Sequence, residues 1–139
     1  TGEIRTPEIS ACASQVAALS CVRDFLLDLQ RDLAKQHNII MDGRDIGTVV
    51  LPKATVKIFL TATPEVRAKR RTDELIAKGQ KADYNKILKD IQQRDYQDTH
   101  REIAPLKMAR DSVKLDTSEL DIDGVIAAMK EIIARKVTL

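Results

Sequence analysis

Asp42, Gly43, Arg44 and Asp45 follow directly on the apolar run 39–41, and Gly47 adds a second flexible point two residues on. The run has the length and residue types of a buried parallel strand. In an open α/β sheet, ligands collect where the carboxyl ends of strands run out. That spacing puts Asp42, Arg44 and Asp45 on a functional rim. A carboxylate there can hold Mg²⁺, directly or through water. An arginine two residues later can grip a phosphate by two parallel hydrogen bonds. Asp-Gly is also a common turn pair, so an ordinary polar turn fits the same residues.

Two further clusters carry charge at helical spacing. Arg67, Arg70 and Arg71 are three and four apart, so their guanidinium groups share a face. Like charges so arranged repel unless an anion lies between them. A polyphosphate partner suits them, and so does a solvated basic face. Arg94, Asp98 and Arg101 fall at i, i+4 and i+7, again one face. As a surface ladder they would contribute only ~0.3–0.5 kcal/mol per pair.

The elements that position these residues follow from local signals. Thr6-Pro7-Glu8 starts a helix running to about residue 19. Ser20 can cap a second helix, 20–37, with the apolar stripe Val22, Leu26, Leu29 and Leu33. Arg23 sits in its first turn, where a cation opposes the helix dipole. It is there either solvated or held by a ligand. A second buried strand is expected over 57–61. Thr63-Pro64-Glu65 starts a helix that ends at Gly79, a good residue just past a C-cap. Asp83 caps the next helix, and Pro105 closes the region. The segment 64–101 reads as a charged helical hairpin projecting from a sheet, the physics of a mobile lid. A third short strand covers 112–115. Asp121 caps a last helix whose Ile122, Val125, Ile126, Met129, Ile132 and Ile133 form one stripe for docking on the sheet. Strands alternating with helices argue a parallel α/β sheet.

Composition narrows the classes. The 139 residues make one domain, and 23 Lys plus Arg against 21 Asp plus Glu leave a net charge of only +2, which does not suit a general nucleic-acid binder. Trp is absent, with two Tyr and two Phe, so a base-stacking platform is not expected. Cys12 and Cys21 show no metal-ligand spacing and read as buried or half-buried thiols in a reducing compartment. No apolar run approaches the ~20 residues needed to span a bilayer, and no signal peptide is evident. The expected location is the cytoplasm.

Taken in order, Arg-Thr-Pro-Glu (5–8), Ala-Ser-Gln-Val-Ala (13–17), Asp-Gly-Arg-Asp-Ile-Gly-Thr-Val-Val (42–50), Lys-Ile-Phe-Leu-Thr-Ala (57–62), Arg-Ala-Lys-Arg-Arg (67–71), Arg-Asp-x-x-Asp-x-x-Arg (94–101) and Ala-Pro-Leu (104–106) resemble bacterial-type cytidylate kinase. That family is a nucleoside monophosphate kinase branch of the P-loop NTPase fold. The resemblance covers essentially the whole chain. It implies a parallel sheet flanked by helices with a helical lid, and γ-phosphoryl transfer from ATP to CMP or dCMP with Mg²⁺. It also implies that Ser14, Arg23 and Asp45 read the cytosine. Arg94 and Asp98 would sit near the ribose hydroxyls, and Arg44 and Arg101 would bind the acceptor phosphate. Arg67, Arg70 and Arg71 would approach the ATP phosphates as the lid closes, and Asp42 would lie near Mg²⁺ through water. No nucleic-acid or membrane partner is implied, and the full-length protein is expected to be a monomer.

The family begins with a Gly-rich G-x-x-x-x-G-K-[ST] loop that cradles phosphates. The five glycines here, at 2, 43, 47, 79 and 124, do not form it. The expectation is therefore a single partial kinase domain. Residues 1–20 would end a monophosphate-binding region, with a P-loop strand absent, unpaired strand edges and impaired activity of this chain alone. A kinase for another nucleoside monophosphate and a non-catalytic basic binding module are the alternatives.

Overall fold

Three side-chain caps set the starts of three helices. Thr63 Oγ1 accepts from the Val66 amide at 3.3 Å, Asp83 Oδ1 from Lys86 at 3.1 Å and Asp121 Oδ1 from Gly124 at 2.8 Å. Each satisfies an amide that the helix itself leaves without a partner, a contribution of ~1 kcal/mol. The computed structural model describes residues 7–17 and 19–137. The elements are α1 (Pro7–Val16), α2 (Ser20–Gln36), a π-helical turn (Ile46–Val50), β1 (Ile58–Thr61), α3 (Pro64–Ala77), α4 (Tyr84–His100), β2 (Val113–Asp116) and α5 (Ile122–Lys136). The helix start expected at Thr6 lies outside the described residues. Ser20 opens α2 but does not cap it: the N-cap is Leu19, with no side-chain hydrogen bond.

β1 and β2 pair in parallel, Ile58 opposite Val113 and Thr61 opposite Asp116. The ladder is extended at both ends by Val113 N to Lys57 O (2.9 Å) and Thr117 N to Thr61 O (2.8 Å). The strand expected at 39–41 does not form. A strand exists only as part of a ladder, and no described strand lies beside this stretch. The chain there is irregular, and the Ile40 side chain is 99% exposed. The other two strands form within a residue of their expected positions.

α3 and α4 pack on each other as a hairpin. The link turns at Gly79, whose φ of +71° is a left-handed conformation that glycine adopts without cost. Gly79 N donates to Ile76 O and Gln80 N to Leu75 O, both at 2.9 Å, the paired bonds of a Schellman motif.

Apolar burial is thin. Among the described residues Val50, Ala62 and Ala68 are the buried hydrophobics, and no large side chain is fully enclosed. The inward faces also differ from the expected stripes. On α2, Val22 is half-buried as expected, but Leu26, Leu29 and Leu33 are exposed, while Arg23, Leu27, Arg31 and Ala34 turn inward. On α5 the stripe splits. Val125, Met129 and Ile132 are half-buried, whereas Ile122, Ile126 and Ile133 face outward. Cys12 and Cys21 are both exposed, contrary to the burial expected of them, because each stands on an outward face of its helix. With so little apolar burial, charged and polar bonds fix the positions of the candidate site side chains.

Candidate functional site

The site begins where α2 meets the loop after residue 41. Asp45 is buried, and Arg23 Nη2 donates to its Oδ2. This explains a cation in the first turn of α2: a buried carboxylate holds it there, which outweighs the adverse dipole. The loop then tightens into the π-turn. Asp45 O accepts from the amides of Thr48 (3.2 Å), Val49 (2.8 Å) and Val50 (3.3 Å). Gly43 permits this path, since a Cβ there would stand 2.8 Å from Ile46 Cγ1.

The C-terminal end of α4 closes on the same carboxylate. Arg101 Nη2 lies 3.7 Å from Asp45 Oδ1, and Arg101 Nε donates to Ala104 O at 2.7 Å. Ala104 takes φ +49°, which turns the chain back towards the helix end. Leu106 N then donates to Asp98 O at 2.7 Å. Asp98 is buried, accepts from Arg44 Nε at 2.9 Å, and has Arg94 Nε at 3.9 Å. Thus Arg23, Asp45 and Arg101 form one charged triad and Arg44, Asp98 and Arg94 a second, drawn from three separate stretches of chain and adjoining where Arg44 precedes Asp45. Ser14 lies on α1, but its side chain is outside the described part of the structure.

The three arginines of α3 are each engaged elsewhere. Arg67 makes a two-pronged pair with Asp95, at 2.9 and 2.5 Å, and its Nε donates to Ala62 O. The bond to Asp95 raises the Arg67 pKa above its ordinary value. Arg70 Nη2 donates to the carbonyls of Thr117 (2.5 Å) and Leu120 (2.9 Å), which ties α3 to the loop after β2. Arg71 Nη1 donates to Glu74 at 2.8 Å. The repulsion expected among them is therefore relieved by protein acceptors. Asp95 and Thr117 were not legible as partners. Asp95 follows Arg94 with no spacing of its own, and Thr117 reads as a plain strand-end residue.

Asp42 is exposed, and among the described residues no group of three His, Cys, Asp or Glu side chains could hold a metal. A single carboxylate still fits Mg²⁺, which keeps several waters and is usually held by one or two carboxylates with substrate phosphates.

A parallel strand pair flanked by helices is an α/β arrangement, and the family match puts the chain in the P-loop NTPase class. Within it, the chain belongs to the cytidylate kinase family, whose model matches residues 1–135. It is 54% identical to a cytidylate kinase of Lactobacillus gasseri over 133 residues, 96% of this chain and 58% of that protein. It is 54% identical to one from Lactobacillus johnsonii over 134 residues, with the same two coverages. A cytidylate kinase of Carboxydothermus hydrogenoformans is 50% identical over 133 residues, 96% of this chain and 60% of that protein. The chain therefore spans about 58–60% of the length of these curated relatives. No described helix is long and apolar enough to cross a membrane.

Proposed function

We propose that the protein serves transfer of the γ-phosphoryl group of ATP to CMP or dCMP, giving the diphosphate and ADP. The observation that carries this reading is the buried Asp45 carboxylate between Arg23 and Arg101. Cytosine offers an amino donor beside N3 and O2 acceptors. A carboxylate takes the amino group, with Ser14 adding a hydroxyl, and an arginine serves the acceptors. Uracil presents an acceptor where cytosine has its donor, so it would leave the carboxylate unpaired. Mispairing of that type discriminates strongly.

The remaining roles follow the same cluster. Arg101 and Arg44 hold the acceptor phosphate, and Asp98 and Arg94 orient the ribose. Arg67, Arg70 and Arg71 exchange their protein acceptors for ATP phosphate oxygens as the α3–α4 hairpin closes and excludes water. Asp42 holds Mg²⁺ through water, and the ion when bound offsets negative charge on the phosphates. The protein does little covalent work: positioning and cationic neutralisation serve the transfer. On this reading the full-length protein is a cytoplasmic monomer with no nucleic-acid partner.

The test is ADP formation from ATP in the presence of CMP, dCMP, UMP or AMP. The readout is the ratio between acceptors, which survives a low absolute rate. CMP and dCMP are expected to exceed UMP by at least about tenfold. Equal rates with CMP and UMP, or ADP release indifferent to every monophosphate, contradict the reading.

A further inference from the structure

Arg31 belongs to none of the charged clusters described above, yet it makes two bonds from one guanidinium to the turn that carries Asp45. Its Nη2 donates to Val49 O at 2.9 Å and its Nε to Val50 O at 3.1 Å. We propose that Arg31 is a positioning residue for base selection: by holding these two carbonyls it fixes the π-turn that aims the Asp45 carboxylate. The inference rests on the reading of Asp45 as a cytosine acceptor.

The geometry explains why the turn needs a clamp. π-Helical turns are rare and frequently lie at functional sites. This one is gathered at its front by Asp45 O, which accepts three amides, and is closed by Leu51 N to Ile46 O at 2.7 Å. At its rear the last carbonyls have no following turn of helix to supply donors. Arg31 supplies two, both charge-assisted. The planar fork reaches adjacent carbonyls together, which an ammonium point charge does not reproduce. Val50, at the clamped end, is among the few buried apolar residues.

The two arginines of α2 divide the work. Arg23 and Arg31 are eight residues apart, a rise of about 12 Å along one helix. Arg23 grips the carboxylate of Asp45, and Arg31 grips the far end of the turn that begins at Asp45. One rigid helix thus pins the loop at both ends. Arg31 bonds to backbone and to none of the residues assigned to substrate, so its effect passes through Asp45. Without it, the carboxylate loses its fixed direction relative to Arg23 and Arg101, and the base most sensitive to that direction is discriminated least.

The experiment measures Kd for CMP and UMP on the full 139-residue chain and its Arg31→Met and Arg31→Lys variants, with amide hydrogen exchange at residues 48–51. A loss of folded protein alone lowers the binding-competent fraction for both nucleotides equally and leaves the ratio of their Kd values unchanged. The expected result is a ratio that collapses by about fivefold or more in Arg31→Met and partly in Arg31→Lys, with faster exchange at 48–51 and unchanged exchange in α5. If Arg31→Met does not fold, Arg31→Lys is read by the same ratio. A selective wild type with an equally selective variant overturns this inference and leaves the kinase reading standing. A wild type that binds CMP and UMP equally, or neither, overturns the kinase reading and this inference with it.

Discussion

Arg101 Nη2 sits 3.7 Å from Asp45 Oδ1, buried, with no hydrogen-bond partner among the described residues. Its own Nε is fixed by Ala104 O, so the guanidinium cannot simply swing away. A buried donor without an acceptor is costly, about 1–3 kcal/mol and more for a charged group. A phosphate oxygen arriving beside Asp45 would satisfy it. Arg101→Lys is expected to weaken CMP binding by about tenfold to a hundredfold, the worth of one charge-assisted bond. Cytidine, which lacks the phosphate, should bind wild type and variant alike. Titration of both ligands checks this.

Asp45→Asn should act on both stability and selectivity. It leaves Arg23 and Arg101 without the carboxylate they share, and removing one partner of a buried pair costs about 3 kcal/mol. Urea denaturation reads that cost. The CMP preference over UMP should fall as well, because an amide offers a donor that suits uracil.

Asp98→Asn is expected to loosen Arg44 and the Leu106 turn differently. The side-chain bond to Arg44 Nε at 2.9 Å is weakened, while the backbone bond from Leu106 N to Asp98 O persists. CMP affinity should fall more than stability does, and paired titration and melting measurements separate the two.

Much of the fold was legible because its signals are local. Thr63, Asp83 and Asp121 cap within three residues of themselves, and Gly79 breaks the hairpin by its own backbone freedom. Which face of α2 turns inward was not legible. That choice is made by Asp45, Val49 and Val50, 18 to 22 residues further on, so an apolar stripe lost to two arginines. The missing strand at 39–41 has the same cause, since apolar residues favour a strand only where a neighbour pairs with it. The candidate site residues were named from motifs, but their mutual pairing, and the two bonds of Arg31 to Val49 and Val50, are visible only in the fold.

Acid stability should show one identifiable carboxylate. The Lys57 ammonium bonded to Asp111 holds that carboxyl below its usual range. A carboxyl depressed in the folded state contributes stability present above its unfolded pKa, about 3.9, and lost as pH falls through the folded value. Wild type should therefore exceed Asp111→Asn in thermal stability by a constant margin at neutral pH, shrinking below about pH 4. Glu74, held down to about 2 by Lys78 and Arg71, should keep the α3 surface pairs intact through that same range.

Gly79→Ala isolates backbone cost. Nothing lies within 4 Å of the Cβ it would add, so only the left-handed φ of +71° opposes the change. The expected loss is about 1 kcal/mol, with CMP binding unchanged, and a melting curve beside a titration checks both.

The most direct measurement is isothermal titration of CMP, with UMP as control, into this chain. If the Arg23–Asp45–Arg101 cluster reads cytosine and grips the acceptor phosphate, CMP binds and UMP binds at least about tenfold more weakly. Equal heats and equal affinities for the two nucleotides would contradict it.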